Sequence, residues 1–259
     1  IHSSLGAAPD KSGLITIRPF YAPHHTISDA ALVGGSQNPQ PGEISLAHNG
    51  VLFLDELPEF RRNVLEALRQ PLEEGRIKVS RIKRSVHFPA RFMLVAAMNP
   101  CPCGYYTDPA KQCRCNTTKI ERYLSKISGP LLDRIDIHME VPAIRYKELS
   151  SQENPEPSSE IKKRVKKARD IQLKRFKGEG IFANAQMSHK QLKKYCLTGE
   201  EGQNLLKAAI EELGFSARAY DKILKVSRTI SDLAGSEDIR AEHIAEAIQY
   251  RSLDRRLWS

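Results

Sequence analysis

The chain has 259 residues, and its 40 Lys plus Arg against 31 Asp plus Glu give a net charge of +9. This length suits one large domain or two smaller ones, and the basic excess favours an anionic partner, although basic surfaces also keep proteins in solution. No apolar run reaches the roughly eighteen residues of a membrane-spanning helix, so we expect none.

The beginning of the chain indicates part of a longer protein. It opens with Ile1-His2-Ser3, without an initiator Met or a signal peptide. Residues 1–17 are rich in small residues and are predicted to be a loop or a frayed helix. Five cysteines, four of them close together, argue against a secreted disulfide framework and for a reducing cytoplasm.

The segment 18–26 contains two prolines and is predicted to be an extended or turn-rich connection. Its paired His24 and His25 fit either a contact with phosphate or a neighbouring subunit, or a packed loop in which backbone groups satisfy them. A short helix is predicted next, capped by Ser28 and ending at Gly34.

The run Val51-Leu52-Phe53-Leu54 predicts a central strand of a parallel sheet with helices on both faces. Asp55 and Glu56 follow it, at the sheet edge where open α/β sheets bind ligands. Asp55 is the type of ligand that Mg²⁺ binds through water, and Glu56 is placed to orient or deprotonate an attacking water. The same Asp-Glu pair also occurs where a strand simply ends in a turn.

A helix is predicted from Pro58 to Gly75, followed by a half-buried β-hairpin over residues 76–88. Six basic residues and no acidic one lie between Arg76 and Arg91. A hairpin of this kind suits contact with the phosphate backbone of a nucleic acid, and it also suits an edge strand that uses lysines against aggregation. The residues expected at or near its tip are Arg81, Lys83 and Arg84.

Residues 92–98 predict a second buried strand, which ends at Asn99-Pro100. An amide beside the Asp-Glu strand suits the positioning of water against a phosphate, whereas Asn before Pro is also an ordinary turn signal.

Two Cys-x-Cys pairs follow. They suit a tetrahedral Zn²⁺ site, with packing thiols, labile disulfides or an iron–sulfur cluster as the alternatives; the four residues are Cys101, Cys103, Cys113 and Cys115.

The segment 129–141 predicts a short helix joined to a last strand. Arg134 precedes that strand and suits an arginine finger that reaches a neighbouring subunit, or an intramolecular pair with Asp133 or Asp136. The polar segment 150–159 marks a boundary. A basic helix over 160–177 is either a solvated connection or a second nucleic-acid contact.

Four helices are predicted after that, over 188–196, 200–213, 216–234 and 240–250. Arg218 begins the third and suits contact with a nucleotide, or plain exposure at a helix N-terminus. The predicted domains are an α/β core over 1–150, a linker with the basic helix over 151–187 and a helical lid over 188–259.

Several long motifs together resemble the magnesium-chelatase-like AAA+ ATPases, and within them the YifB/ComM competence-related branch. They are GEISLAHNGVLFLDELPEF, LEALRQPLEEG, VAAMNPCPCGYY, GPLLDRIDIHMEVP and SARAYDKILKVSRTISDLAGSEDIRAEHIAEAIQYR. The resemblance implies a partial AAA+ parallel-sheet core with a C-terminal helical lid, in a protein that forms a ring, a hexamer in the expected case, and hydrolyses ATP with Mg²⁺.

The resemblance also assigns roles to individual residues. It implies Asp55 and Glu56 as Walker B, Asn99 as sensor 1, Arg134 as a finger acting in trans and Arg218 as sensor 2. The basic hairpin resembles the one that points toward DNA in related helicases. The ComM branch implies ATP-driven branch migration of DNA during recombination, and the expected partner is single-stranded or branched DNA.

One departure concerns the phosphate-binding loop GxxxxGK[ST], which is absent from these 259 residues. Backbone amides and the Lys of that loop supply most β/γ-phosphate contacts in this class. We therefore expect the chain, as given, to bind ATP weakly without turnover. Two alternatives remain open for the full-length protein, a chelatase-type motor that remodels a protein partner and an inactive scaffold that only oligomerises.

Overall fold

The computed structural model describes residues 17–35, 40–81, 84–106, 108–142 and 156–251, with the side chains of residues 80, 81 and 84 left out. The expectation for residues 1–16 lies outside this range. The chain divides into two compact units, Ile1–Ile135 and Asp136–Ser259. The finer division at residues 151 and 188 stays a prediction.

The first unit combines a small parallel sheet, a β-hairpin and short helices. In chain order its elements are β1 (Phe20–Tyr21), α1 (Asp29–Val33), α2 (Glu43–Leu46), β2 (Val51–Leu54), a 3-10 turn (Leu57–Glu59), α3 (Arg62–Ala67), α4 (Arg69–Glu74), β3 (Arg76–Arg81), β4 (Arg84–Pro89), β5 (Met93–Ala96), α5 (Thr117–Leu124) and α6 (Gly129–Leu132).

The sheet has the order β1-β2-β5 with all strands parallel, which confirms β2 as a central strand. Leu52 and Leu54 are fully buried and carry one face of β2 into the core. The expectation that helices cover both faces is wrong for the described residues, because Met93 and Val95 of β5 are 58% and 38% exposed. In the described part of the chain, β5 is an edge strand of this sheet, and one of its faces is also open to solvent.

A close backbone approach explains why the sequence has glycine just before β2. A Cβ atom on Gly50 would lie 2.0 Å from the carbonyl oxygen of Pro19. The same carbonyl accepts a hydrogen bond from the amide of Val51 at 2.9 Å. This pairing creates β1 in a segment whose prolines had predicted only an irregular connection.

The helices around the sheet follow the sequence signals closely. α1 has the predicted bounds, and the Ser28 hydroxyl accepts the amide of Ala31 at 3.2 Å. The single helix predicted from Pro58 is instead a 3-10 turn followed by α3 and α4. Gly75 ends α4 in the left-handed conformation, with φ 64°.

The basic segment forms the predicted hairpin, in which β3 and β4 pair antiparallel from Arg76↔Pro89 to Arg81↔Arg84. Ile77 and Val79 are buried in the core of the first unit, whereas Lys78 lies on the exposed face. The prediction of a half-buried hairpin with a cationic outer side is therefore confirmed for the described part of the strands.

The strand predicted after α6 is wrong. Residues 135–142 contain no strand, although Ile137, Met139 and Val141 alternate as a strand would. Those three side chains are 49–76% exposed, and none of the described strands pairs with this segment. Within the second unit, the amide of His138 instead donates to the carbonyl of Tyr250 at 2.7 Å.

The second unit is helical, as the apolar periodicity predicts. Its elements are α7 (Ser158–Arg175), a 3-10 turn (Asn184–Gln186), α8 (His189–Tyr195), α9 (Glu200–Leu213), α10 (Ala217–Ala234) and α11 (Ala241–Gln249). The four helices α8 to α11 match the predicted helices to within one residue at every end. Among the described helices, none combines the length and apolar character that crossing a bilayer requires.

A buried polar network lies inside this helical unit. The carboxylate of Asp232 is fully buried and accepts two hydrogen bonds from Arg175, at 2.5 and 2.8 Å. It also accepts one from Asn184 at 2.8 Å, and the Arg228 guanidinium lies 3.3 Å away. These partners compensate the buried charge of Asp232, because a buried charge without a partner is strongly destabilising.

Candidate functional site

The two acidic residues lie where β2 leaves the sheet. Leu54 is buried, and both Asp55 and Glu56 are exposed. Glu56 adopts the left-handed conformation with φ 52°, and Asp55 Oδ1 accepts the amide of Glu56 at 2.9 Å. The chain therefore turns sharply at this point and presents two carboxylates at the carboxyl end of the central parallel strand.

A histidine from the connection after β1 contacts the second carboxylate. His25 Nδ1 lies 3.1 Å from Glu56 Oε2. The His25 ring packs edge-on to Phe60 at 6.4 Å between centroids, and the His24 ring lies 4.0 Å away. His25 is therefore held by aromatic neighbours on one side and directs a ring nitrogen at Glu56 on the other.

Asn99 follows the neighbouring strand at the same edge of the sheet. Leu54 pairs with Ala96, and the amide of Leu57 donates to Ala97 at 3.0 Å. Asn99 lies two residues beyond that hydrogen bond and is exposed. Because parallel strands end at one edge, Asn99 joins Asp55 and Glu56 in a single polar row.

Tyr123 of α5 lies behind this row. Burial, helped by the carboxylates of Glu59 and Glu56, raises the pKa of its hydroxyl to about 12, although a hydrogen bond from the backbone of Asn99 opposes the rise. The side chain is 6% exposed. Tyr123 therefore stays a neutral phenol against the backbone of Asn99 and was not identified from the sequence.

Arg134 forms intramolecular contacts in the first unit. Its guanidinium pairs with Glu73 and donates to the carbonyl of Pro130 at 2.6 Å, and its side chain is 11% exposed. The sequence had suggested Asp133 or Asp136 as intramolecular partners, and Glu73, 61 residues away, had no signal. The role of Arg134 as a finger stays a prediction.

Arg218 belongs to the second unit, where it is an exposed residue in the first turn of α10. Its role as sensor 2 also stays a prediction. For the hairpin, Lys83 lies outside the described residues, and so do the side chains of Arg81 and Arg84. The exposed cations of the described hairpin are Arg76 and Lys78.

The four clustered cysteines converge on one point. Cys101 Sγ lies 3.3 Å from Cys103 Sγ and 3.7 Å from Cys113 Sγ, and the last two sulfurs are 3.6 Å apart. With Cys115, all four sulfurs lie within 4.8 Å of one another. The thiols are free, and these separations exceed a disulfide bond of about 2.05 Å.

Backbone amides also face the thiol cluster. Hydrogen bonds from the backbone of Tyr105 and Arg114 lower the pKa of Cys103 to about 6. The amide of Cys115 donates to Cys113 Sγ at 3.4 Å and favours its thiolate, but burial and the neighbouring thiols outweigh this and raise the pKa of Cys113 to about 12. N–H groups directed at sulfur stabilise thiolates, which are the form of cysteine that binds a metal.

The residues at the sheet edge fit a magnesium-bound triphosphate in part. Two exposed carboxylates and an amide offer the hard oxygen ligands and water-orienting groups that such a site uses. The Cys cluster offers four soft ligands, and soft ligands select zinc or iron over magnesium. The two sites therefore suit different metals.

A parallel sheet with paired carboxylates after its central strand, followed by a bundle of helices, has the AAA+ arrangement of an α/β core and a helical C-terminal region. Comparison with family models agrees with this class. Residues 1–149 match the model described as magnesium chelatase, subunit ChlI, and residues 155–251 match magnesium chelatase, subunit ChlI C-terminal. The chain therefore belongs to the magnesium chelatase ChlI family of AAA+ proteins.

Individual relatives indicate which branch of this family the chain resembles. The chain is 50% identical over 241 residues to the competence protein ComM of Haemophilus influenzae and 46% identical over the same length to the uncharacterized protein YifB of Escherichia coli. Each alignment covers 93% of this chain and 46% of the relative. The chain spans about half the length of these curated relatives, and the resemblance inferred from the motifs is confirmed.

Proposed function

We propose that the full-length protein is an ATP-driven motor that acts on DNA as a ring, a hexamer in the expected case, with ComM-like branch migration or helicase activity during recombination or transformation in the cytoplasm. The family supports an ATPase of the AAA+ type. The observation that carries the proposal is the row of Asp55, Glu56 and Asn99 at the carboxyl edge of the parallel sheet.

Each residue of this row has a distinct task in the proposal. Bound MgATP supplies the transferred phosphoryl group and the divalent charge that stabilises it. Asp55 holds the metal through water, and Glu56 orients and deprotonates the attacking water. Asn99 donates to that water or to the terminal phosphate, and His25 keeps the Glu56 carboxylate in one orientation.

Two arginines, Arg134 and Arg218, are proposed to contact the bound nucleotide in the ring. Arg134 is assigned to a neighbouring subunit's triphosphate, which requires its guanidinium to exchange Glu73 for phosphate oxygens. Arg218 is assigned to the nucleotide of its own subunit, as the resemblance implies. Arg218 is an exposed residue in the first turn of α10.

The choice of DNA as the substrate rests on charge. One face of the hairpin packs in the core through Ile77 and Val79, which leaves the opposite face of the described strands, with the exposed Lys78, toward solvent. Phosphate contacts from such a surface weaken steeply as salt is added. The relative's printed name, competence protein, agrees with a role in DNA uptake or recombination.

The test is DNA-stimulated ATP hydrolysis by the full-length protein with Arg81, Lys83 and Arg84 all changed to Glu. We expect basal turnover to persist and stimulation by single-stranded or branched DNA to fall by at least about tenfold, with weaker salt dependence. A matched control reverses the same charge on exposed lysines of the second unit, Lys190, Lys193 and Lys207. Stimulation that survives in the hairpin variant contradicts the assignment.

A chelatase-type motor that remodels a protein partner is the second candidate, because both family models carry the chelatase name. The same experiment separates the two. A protein-directed motor hydrolyses ATP at a rate that DNA does not change, and the hairpin variant then behaves like the control.

A further inference from the structure

The thiol cluster closes the base of one loop. Residues 101–115 leave the sheet directly after Asn99-Pro100 and return at Asn116, the N-cap of α5. Two cysteines stand at each end of this excursion, so the four sulfurs join its beginning to its end. The Asn116 side chain then accepts the amide of Lys119 at 2.9 Å and starts the helix.

Little else holds this loop. Among its described residues only Cys101 is buried, and the aromatic rings of Tyr105 and Tyr106 are 37% and 57% exposed. Its other contacts are local: Asp108 Oδ1 accepts the amides of Ala110 and Lys111, and the ammonium of Lys111 lies 5.0 Å from the centre of the Tyr105 ring. A loop of this length without an apolar core needs a covalent or metal crosslink to hold one conformation.

The sulfur positions fit a single tetrahedral ion. With Zn–S bonds of about 2.3 Å, neighbouring sulfurs of a tetrahedron lie about 3.8 Å apart. The three sulfur–sulfur separations among Cys101, Cys103 and Cys113 are 3.3, 3.6 and 3.7 Å. A cluster of several irons would hold its thiolates farther apart than one ion does, and a disulfide would bring two of them much closer.

We propose that Cys101, Cys103, Cys113 and Cys115 bind one structural Zn²⁺, which fixes the end of β5, and Asn99 with it, relative to α5. Each thiol gives up its proton when the ion binds. Asn99 lies between the last sheet hydrogen bond, at Ala97, and the first thiolate, at Cys101. The sheet therefore holds the chain before Asn99, and the ion holds it after Asn99. The cysteines act as positioning residues for Asn99.

The metal itself is tested without any activity measurement. The full-length protein is purified under reducing conditions, its zinc and iron are quantified, and Co²⁺ is exchanged for the native ion. We expect about one Zn²⁺ per chain, no iron, and the visible absorption of tetrahedral thiolate-bound Co²⁺. Absence of zinc after reconstitution, or iron in its place, overturns the proposal.

Substitutions locate the ligands. Cys113→Ser is expected to lose the zinc, whereas the matched control Cys196→Ser keeps it, because Cys196 is a buried cysteine of the second unit outside the cluster. Cys103→His supplies a nitrogen ligand and is expected to restore binding that Cys103→Ser abolishes. Equal zinc in Cys113→Ser and Cys196→Ser would disprove the assignment even if both variants fold.

The positioning role rests on the proposed function and has a separate readout. Zinc removal from the full-length protein is expected to lower kcat for ATP hydrolysis at least about fivefold, with KM for ATP changed less than twofold, because Asn99 acts on the reacting water rather than on nucleotide affinity. Returning Zn²⁺ restores kcat. Stoichiometric zinc with kcat unaffected by its removal refutes the positioning role alone, while a zinc-loaded protein without any ATPase activity refutes the proposed function instead.

Discussion

The sheet edge of the first unit and the helical core of the second place their acidic groups in opposite environments. Asp55 and Glu56 are exposed, and the described contacts of their side chains are one amide and one histidine. Asp232 is fully buried and is bound by two arginines and an asparagine. The first arrangement leaves carboxylate oxygens available to a ligand. In the second, the carboxylate of Asp232 is paired with protein groups that stabilise the fold. The environment of a carboxylate therefore distinguishes one that is open to a ligand from one that maintains the fold.

The largest expected effect on stability is in the buried network. Asp232→Ala removes the anion between Arg175 and Arg228 and leaves buried positive charge without compensation. We expect the free energy of unfolding to fall by about 3–5 kcal/mol, measured by chemical denaturation.

The control for this change is Asp221→Ala. Asp221 is 34% exposed and lies 3.3 Å from the His189 ring, so its loss is expected to cost less than about 1 kcal/mol. Similar losses in both variants would mean that burial does not distinguish the two carboxylates.

A smaller loss of stability is expected at the close approach before β2. Gly50→Ala places a Cβ atom against the Pro19 carbonyl and forces β1 away from β2. We expect the free energy of unfolding to fall by about 1–3 kcal/mol. Gly199→Ala, where nothing lies within 4 Å of the added Cβ, is the control and is expected to cost less than about 1 kcal/mol. An unchanged Gly50→Ala protein would contradict the strand pairing.

A pH-dependent effect is expected at Glu179 of the second unit. Hydrogen bonds from Tyr195, then Lys194 and Gln191, lower the pKa of this carboxyl from 4.5 to about 2. A carboxyl whose pKa is lowered in the folded protein stabilises the fold at pH values above its ordinary pKa. This contribution is lost as the pH falls from about 4.5 to about 2.

The measurement compares urea midpoints of the wild-type protein and Glu179→Gln at about pH 6 and about pH 3. The wild-type midpoint is expected to fall more than that of the variant. Parallel pH profiles for the two proteins would show that Glu179 does not titrate in this way.

The smallest effect on turnover is expected at His25. His25→Ala frees the Glu56 carboxylate from one hydrogen-bonding partner at a half-exposed position, so we expect kcat of the full-length protein to fall about two- to fivefold with KM for ATP unchanged. His189→Ala serves as the control, because His189 is an exposed histidine of the second unit that pairs with Asp221 rather than Glu56. Equal effects in the two variants would argue against a role in orienting Glu56.

Periodic and local signals made most of the fold predictable. The four helices of the second unit repeat apolar residues at helical spacing, and the capping hydroxyl of Ser216 marks the start of α10. The apolar run before Asp55 was enough to predict a central parallel strand. The strand predicted at the end of the segment 129–141 was wrong. Alternating apolar residues show which side chains could be buried, but they do not show that a partner strand exists.

The residue types of the candidate site were predictable, but their contacts were not. Apolar runs that end in polar residues identified Asp55, Glu56 and Asn99, and the Cys-x-Cys spacing identified the cysteines. Both signals lie within a few residues of sequence. The pairs His25–Glu56 and Arg134–Glu73 join residues 31 and 61 positions apart, and no short-range pattern records such distances. The paired histidines were the one available signal, without an indication of their partner.

The proposed function requires the exposed carboxylates at the end of β2 to carry out ATP hydrolysis. The most direct measurement is turnover of the full-length protein with Glu56→Gln beside Asp55→Asn. We expect Glu56→Gln to lower kcat by about 10²–10⁴-fold while ATP still binds, and Asp55→Asn to lose Mg²⁺-dependent turnover. Wild-type rates in both variants would contradict the account.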